Sequence, residues 1–240
     1  RTNAESQRKS ALSQRESATL VDWLLEKYPE MKNVGDEPQI RPGIVHRLDR
    51  ETSGILLAAK NQNYFEYLKS LFKTRRIKKT YLAVVLGAFK EKTGVIDKEI
   101  RIKSGSVKRT VFSGKMAKQA ITRYTVKKTL RTADKEMFSL LEVVPETGRT
   151  HQIRVHLASL GHPVVGDRLY GPQKQPVWAE RLMLHAHSLE FSTAESRRIK
   201  IEAEPPVRVR LPIAQAHRRR RVRRAVPGRI KTGAELSTPS

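Results

Sequence analysis

Apolar residues recur at every second position in several segments between residues 80 and 204, and this period limits the possible folds more than any other feature. In residues 80–86, Leu82, Val84 and Leu86 lie on one side of the chain, as expected for a β-strand. Shorter apolar runs at 44–45 and 55–59 are also typical of strands. We predict further strands at residues 95–102, 120–126, 137–144, 182–191 and 198–204.

Three other segments have the helical period. The first starts at Thr19 and places Trp23 at a spacing typical of the core, and the second follows Asn61 as its N-cap. The third covers residues 150–160, with Thr150 as its cap. The second helix has an apolar face formed by Tyr64, Leu68, Leu71 and Phe72. Long β segments interrupted by helices predict an α+β fold, with helices flanking a mixed, mostly antiparallel central sheet.

The charge of the chain indicates a polyanionic partner. Its 240 residues include 48 Lys and Arg against 24 Asp and Glu, a net charge of +24. Nucleic acid is favoured over an acidic membrane because no amphipathic membrane helix stands out. Residues 60–131 hold a net charge of +16, interleaved with strand residues, and residues 205–240 hold +9. The first region predicts a basic folded surface, although its lysines could equally serve only to keep exposed strands in solution.

A polar segment between two apolar runs, residues 46–54 with the sequence HRLDRETSG, is the first candidate for chemistry. Its Asp49 lies between Arg47 and Arg50, and these cations favour an ionised carboxylate. Such a carboxylate can serve as a nucleophile or a base while the arginines hold phosphates. An ordinary Asp–Arg turn explains the same spacing.

A second candidate lies where a predicted strand turns into the third helix. Residues 146–156 read ETGRTHQIRVH, and a helix N-terminus next to a glycine offers free N–H groups to an anion. Arg149, Thr150 and Gln152 are therefore predicted to hold phosphate or ribose, with Arg154 one turn further. The alternative is a capped surface helix with a salt bridge.

Tyr81 is a third candidate, because it follows Lys78 and Lys79 on what we expect to be an exposed strand face. An aromatic ring among lysines can stack on an unpaired base, or it can pack across the sheet. The histidines do not predict a metal site: His151 and His156 are five positions apart, which is not one helical face. The absence of cysteine excludes disulfides, thiolate catalysis and Cys-ligated zinc.

Taken in order, these segments resemble the RluA-type pseudouridine synthases. The matching motifs are residues 46–54, 78–83 and 148–156, supported by residues 161–167, 170–171 and 184–186. The resemblance covers about residues 18–213. It implies the pseudouridine synthase fold and an isomerase that converts uridines in RNA to pseudouridine without a cofactor or a metal. Ribosomal RNA of the large subunit is the first choice of substrate, because Arg50-Glu51 is more similar to the rRNA-modifying branches, and a tRNA-directed synthase is the alternative.

The resemblance also implies roles for individual residues. Asp49 matches the catalytic aspartate, which attacks the nucleoside covalently or acts on the ribose. Tyr81 matches the tyrosine that stacks on the target base and removes a proton later. Arg154 matches the arginine that pairs with the aspartate and keeps it ionised and aimed, and Arg47 matches the residue that enters the RNA stack. The other residues expected to bind RNA are Arg50, Arg149, Gln152, Lys78 and Lys79.

Two features depart from the family pattern. Family members usually begin with a strand containing a Lys-Pro-x-Gly segment, which does not occur before Ala18, and some carry a small S4-type RNA-binding domain, which is missing here. The chain is therefore expected to be cut short or to have another strand at that position, with an uncovered apolar sheet edge. RNA docking would then depend on the catalytic domain.

We expect a flexible segment at 1–17, a catalytic domain at 18–213 and a disordered basic tail at 214–240. Neither a secretory signal nor an apolar run of membrane-spanning length is visible, so we predict a cytoplasmic, monomeric protein that does not contact membranes. Two competing hypotheses remain. One is a catalytically idle RNA-binding or ribosome-assembly protein on the same fold, and the other is a ribosomal or nucleic-acid-coating protein.

Overall fold

The computed structural model describes residues 19–206, apart from residues 104, 107 and 133. The expected flexible segment at 1–17 and the expected basic tail at 214–240 lie outside the described residues. So do residues 207–213, which we assigned to the end of the domain.

The described chain contains three α-helices, one short 3-10 helix and ten strands. The helices are α1 (Leu20–Lys27), the 3-10 helix (Pro29–Asn33), α2 (Gln62–Lys73) and α3 (Gln152–Ser159). The strands are β1 (Ser53–Gly54), β2 (Lys78–Leu86), β3 (Thr93–Asp97), β4 (Ile100–Ile102), β5 (Arg109–Thr110), β6 (Lys115–Lys118), β7 (Ile121–Arg131), β8 (Met137–Pro145), β9 (Leu184–Ser192) and β10 (Arg198–Glu202).

Seven of these strands form a central sheet in the order β1, β9, β2, β8, β7, β3, with β10 also paired to β9. Every pair is antiparallel except β1 with β9. The predicted α+β fold with a mixed, mostly antiparallel sheet is therefore confirmed. Strands β4, β5 and β6 form a second, three-stranded sheet, which we call the small sheet.

The strand predicted at 95–102 is divided between the two sheets. Strand β3 pairs with β7 as far as Asp97, and the chain then leaves the central sheet, so that Ile100 pairs with Lys118 of β6. Alternating apolar residues continue through this bend, which is why the sequence predicted one strand.

Strand β2 lies in the middle of the central sheet and is buried on both faces. Ala83, Val84 and Val85 are each at most 1% exposed. Our prediction that Tyr81 lies on an exposed strand face is therefore wrong, because the sheet is covered and Tyr81 is partly buried. One core cluster includes Ile153 and Leu157 of α3, and a second includes three residues of α2, namely Phe65, Leu68 and Leu71.

Helix starts follow the sequence in two of three cases. Thr19 and Asp22 form a capping box at α1, and the Asn61 side chain accepts a hydrogen bond from the N–H of Tyr64 at α2. The predicted cap of α3 is wrong: the N-cap is His151 in the left-handed conformation (φ 57°), and no side chain caps it. This strained residue turns the chain sharply between β8 and α3.

Trp23 was assigned wrongly to the core, and Tyr64 does not share the buried face of α2 with Leu68 and Leu71. Trp23 is 53% exposed, because the short helix α1 buries Leu24 on its other face. In α2, Phe65 is buried, whereas Tyr64 is 40% exposed and donates its hydroxyl to Glu195. Because the polar hydroxyl of Tyr64 is more stable in contact with water or a charged partner, its side chain lies on the solvent side of α2.

The β10 edge of the central sheet is charged. Strand β10 alternates Arg198, Lys200 and Glu202 with isoleucines, and charges along an edge strand discourage pairing with another chain. At this edge the sheet does not present the uncovered apolar strand that we expected.

Candidate active site

A cleft of about 470 Å³ lies at one end of the central sheet, where the three predicted motifs meet. The loop before β1, the start of β2 and the turn into α3 each contribute side chains to its wall. Lining residues from the three motifs include Arg47, Asp49, Thr52, Lys79, Tyr81, Gly148, Arg149, Gln152 and Arg154.

Asp49 and Arg154 form an ion pair in this cleft. The Nη1 of Arg154 lies 3.4 Å from the Oδ2 of Asp49, and the side chain of Asp49 is 19% exposed. The N–H of Thr52 donates to the carbonyl oxygen of Asp49 at 2.9 Å, which closes a turn and presents the carboxylate to the cleft. The pairing therefore gives Asp49 a cationic neighbour but leaves it accessible to a ligand.

Arg154 is held mainly by another carboxylate. Its Nε and Nη2 donate to the two oxygens of Asp167, each at 2.7 Å, and both side chains are buried. Burial alone lowers the pKa of Arg154, but the hydrogen bonds and charge of Asp167, together with Asp49, outweigh it and raise that pKa. Arg154 is consequently a permanent cation in the cleft wall.

Tyr81 enters the cleft from β2. The pairing of β2 with β9 shifts register between Thr80 and Tyr81, and such an irregularity re-aims the side chain that follows it. Burial, and then the negative charge of Asp49, raise the pKa of Tyr81 to about 12. The phenol therefore carries its proton at neutral pH.

Gln152 builds the turn into α3 rather than facing solvent. Its Oε1 accepts from the hydroxyl of Thr147 at 2.7 Å and from the N–H of Arg149 at 3.0 Å. Its Nε2 donates to the carbonyl of Ile121 and the hydroxyl of Thr122, both at 3.0 Å. All these contacts are internal, so the geometry gives Gln152 a positioning role, and its contact with RNA stays a prediction.

Only some of the cations predicted to bind RNA line the cleft. Arg47 is exposed and lines the cleft, and Lys79 lines it while donating to the carbonyl of Thr147 at 3.3 Å. Burial, and then the charge of Arg75, lower the pKa of Lys79. Lys78 pairs instead with Glu190 at 3.2 Å. Arg50 is exposed beside the cleft but is not among the lining residues.

His46 fixes the loop that carries Asp49. Its Nε2 accepts from the N–H of Leu57 at 2.8 Å, and its ring stacks on Phe72 with centroids 4.5 Å apart. Burial, and then the charge of Lys79, lower the pKa of His46 to about 4. The ring is neutral near pH 7, which allows Nε2 to act as an acceptor.

Two lining residues were not predicted from the sequence. Lys73 and Arg75 reach the cleft from the C-terminal end of α2. No local motif marks them, because their position depends on how α2 packs. Thr52, which belongs to the 46–54 motif, has a buried hydroxyl without a hydrogen-bond partner among the described residues. Within the described residues, no three potential ligands of the types His, Cys, Asp and Glu are grouped as a metal site would require.

The sequence of the chain matches the family model described as RNA pseudouridylate synthase over residues 9–159. The chain belongs to this family. The match spans more than half of the chain and includes Asp49, Tyr81 and Arg154, and the resemblance to RluA-type pseudouridine synthases is confirmed.

Relatives of this pseudouridylate synthase family support the assignment. The chain is 38% identical over 190 residues to ribosomal large subunit pseudouridine synthase D of Borreliella burgdorferi, covering 79% of this chain and 57% of the relative. It is 37% identical to the dual-specificity RNA pseudouridine synthase RluA of Vibrio cholerae, covering 62% of this chain and 58% of the relative. The chain thus spans little more than half the length of these curated relatives.

A solved structure in the same family has the same fold. Human RNA pseudouridylate synthase domain containing 1 aligns with a TM-score of 0.64 and 30% identity, covering 78% of this chain and 74% of that one. In this chain, no helix among the described residues has the length and hydropathy that crossing a bilayer requires.

Proposed function

We propose that the chain is an RNA pseudouridine synthase, with Asp49 as the key catalytic group. The observation that carries this proposal is the Asp49–Arg154 ion pair at 3.4 Å, in a cleft that Tyr81 also lines. These residues come from three elements distant in sequence. A carboxylate, an aromatic ring and a fixed cation in one cleft fit a reaction that needs neither redox chemistry nor an added group.

The reaction is an isomerisation, so the atoms of the substrate are conserved. The bond between C1′ and N1 of uridine breaks, the freed uracil turns in the cleft, and C1′ joins C5. The proton leaves C5, and N1 gains one. Asp49 attacks the nucleoside or acts on the ribose while Arg154 offsets its charge, and Tyr81 stacks on the base. Because these atoms are hidden in a base stack, the target uridine must first flip out.

The RNA-binding surface in this proposal surrounds the cleft. Arg47 is exposed at the cleft, and Lys79 and Arg149 also line it. In this proposal Arg47 takes the place of the flipped base, while Lys79 and Arg149 bind phosphates of the RNA. In this proposal the small sheet extends the surface: Lys115 and Lys118 of β6 are exposed, and Phe112, in the loop between β5 and β6, is 72% exposed. Cations interspersed with an exposed aromatic ring favour contact with phosphates and unpaired bases.

Large-subunit ribosomal RNA is the proposed substrate. The names of two relatives, from Borreliella burgdorferi and Rickettsia bellii, specify the ribosomal large subunit. The name of the relative from Vibrio cholerae specifies dual specificity, and tRNA stays our second candidate. Unmodified transcripts of bacterial large-subunit rRNA and tRNA, treated in parallel, distinguish the two.

Asp49→Asn is expected to abolish isomerisation, with a loss of at least about 10⁴-fold, because an amide cannot act as the carboxylate. Pseudouridine is mapped in the two transcripts by carbodiimide labelling and primer extension, and RNA affinity is measured alongside. Affinity should stay within about threefold of the parent, since the substitution leaves the cationic surface intact.

Asp36→Asn is the matched control, because it also removes one carboxylate charge, but from an exposed ion pair with Lys69. It should leave turnover unchanged. Pseudouridine formation by the Asp49→Asn variant would remove Asp49 from the mechanism. Tight RNA binding by the parent chain without any product would instead favour the idle RNA-binding protein.

A further inference from the structure

Asp167 is a buried carboxylate next to the proposed site, and the chemistry above leaves it without a role. It is 0% exposed, and both of its oxygens accept from the guanidinium of Arg154 at 2.7 Å. Its Oδ1 also accepts from the backbone N–H groups of Leu169 at 2.9 Å and Tyr170 at 3.1 Å. Four donors thus converge on one side chain, which is a full set for a buried carboxylate.

The guanidinium of Arg154 is shared unequally among three carboxylates. Its Nε and Nη2 form a two-point contact with Asp167, whereas Nη1 lies 3.4 Å from Asp49 and Nη2 lies 3.9 Å from Glu51. Asp49 and Glu51 are also more exposed than Asp167. Because two-point contacts fix the plane of a guanidinium, Asp167 determines where Nη1 points.

Asp167 is itself held by the central sheet. The N–H of Val165 donates to the carbonyl of Val84 in β2 at 2.9 Å. The carbonyl of Val165 accepts from the N–H of Met183 at 2.8 Å. Gly166 then adopts a φ of 78°, and a Cβ there would lie 2.0 Å from the carbonyl oxygen of Arg181. This close approach fixes the chain immediately before Asp167.

We propose that Asp167 is a positioning residue, which fixes Arg154 so that Nη1 faces Asp49 before any substrate arrives. The role in catalysis depends on the proposed function, whereas the orientation of Arg154 does not. The arrangement also explains why Arg154 contacts Asp49 through one nitrogen only, since its other two nitrogens bind Asp167. Lone pairs of the Asp49 carboxylate remain free for the nucleoside.

The charges of the pair agree with this role. Burial raises the pKa of Asp167, but the hydrogen bonds and charge of Arg154 and the two backbone N–H groups outweigh it, so the net pKa is lowered. Asp167 therefore stays ionised at neutral pH. The ring of Tyr170 lies under the guanidinium, with 5.3 Å between Cζ and the ring centroid, and limits its movement further.

The orientation is tested by NMR on the full chain labelled with ¹⁵N-arginine. The Nε–H signal of Arg154 is identified as the one that disappears in Arg154→Lys, and its exchange with solvent is measured. Asp49→Asn should leave this exchange rate unchanged, whereas Asp167→Asn should raise it at least about tenfold. Faster exchange in Asp49→Asn, or no change in Asp167→Asn, would overturn the proposal. The Asp49→Asn measurement decides the matter even if Asp167→Asn does not fold.

The role in turnover is tested by a double-mutant cycle on the transcript that the parent modifies. Asp167→Asn should lower kcat about 10- to 100-fold and leave KM within about twofold, with Asp36→Asn as the charge control. If Asp167 acts through Arg154, then Arg154→Lys/Asp167→Asn should be no slower than Arg154→Lys alone. Losses that multiply would mean a separate structural role. A parent chain that makes no pseudouridine would refute the proposed function, while the exchange rates would still decide the orientation.

Discussion

Asp49 and Arg154 lie 105 positions apart in the chain, yet they meet in one ion pair. Tyr81 reaches the same cleft from β2 and is close enough to Asp49 for that charge to contribute to its raised pKa. A phenol with a pKa of about 12 is present as phenolate at a level of only about one part in 10⁵ at pH 7. In the proposed reaction, Tyr81 therefore starts as a hydrogen-bond donor and a stacking surface.

Tyr81→Phe keeps the stacking ring and removes the hydroxyl. If the hydroxyl takes part in moving the proton from C5, kcat should fall at least about 100-fold, while RNA affinity stays within about threefold. Single-turnover kinetics on the modified transcript, with binding measured separately, provide both quantities. Tyr67→Phe is a control in the same chemical class, since the Tyr67 hydroxyl donates to the Ser192 carbonyl away from the cleft. Normal turnover by Tyr81→Phe would leave only the stacking role.

At the scale of elements, the loop that carries Asp49 contains no helix or strand, and contacts at both of its ends hold it in place. Strand β1 pairs with β9 over only two residues. Gly54 has a φ of 119°, and a Cβ there would lie 2.2 Å from the carbonyl oxygen of Ala186, so the backbones touch. At the other end, neutral His46 accepts from Leu57. These two contacts hold the loop in place while it stays open to the cleft.

The contact of His46 predicts a loss of stability in acid. The pKa of His46 is about 4 in the folded chain and about 6.5 when unfolded, so the unfolded chain binds the extra proton first. As the pH falls from 7.5 to 5, this group should lower the free energy of unfolding by about 2 kcal/mol.

His46→Gln tests this, because an amide oxygen still accepts from Leu57 but does not titrate in this range. Urea unfolding at pH 7.5 and pH 5 should show that the parent loses about 2 kcal/mol more than the variant. His187→Gln is the matched control, since it removes a histidine that lies elsewhere, near Ala203. Equal losses in parent and His46→Gln would mean that His46 is not held neutral.

At the scale of the whole molecule, charge and chemistry are separated. The net charge of +24 is concentrated in residues 60–131 and 205–240, whereas residues 41–59 and 132–204 are close to neutral. The cleft lies where the nearly neutral motifs meet the basic part of α2 and β2. Under the proposed function, affinity for RNA can therefore change without a change in the reacting groups.

Deleting residues 217–240 should weaken RNA binding and reduce its salt dependence. This segment includes six arginines in the run 217–224, and each phosphate contact contributes about 0.7 to the slope of log K against log salt. The slope should fall by up to about four, while kcat at saturating RNA is unchanged. Deletion of residues 230–240 alone is the control, because it leaves the run intact. An unchanged slope would show that the run does not contact RNA.

The sequence by itself determined where most strands and helices lie, which residue types the proposed chemistry would use, and the positive charge that predicts a polyanionic partner. These features depend on local periods and on motifs contiguous in the chain. Only the tertiary structure decided that Asp167 holds Arg154, that Gln152 is used inside the turn, and that Trp23 is exposed while Phe65 is buried. The physical reason is that burial and pairing depend on how distant elements pack, and a short segment carries the same period whichever face is covered.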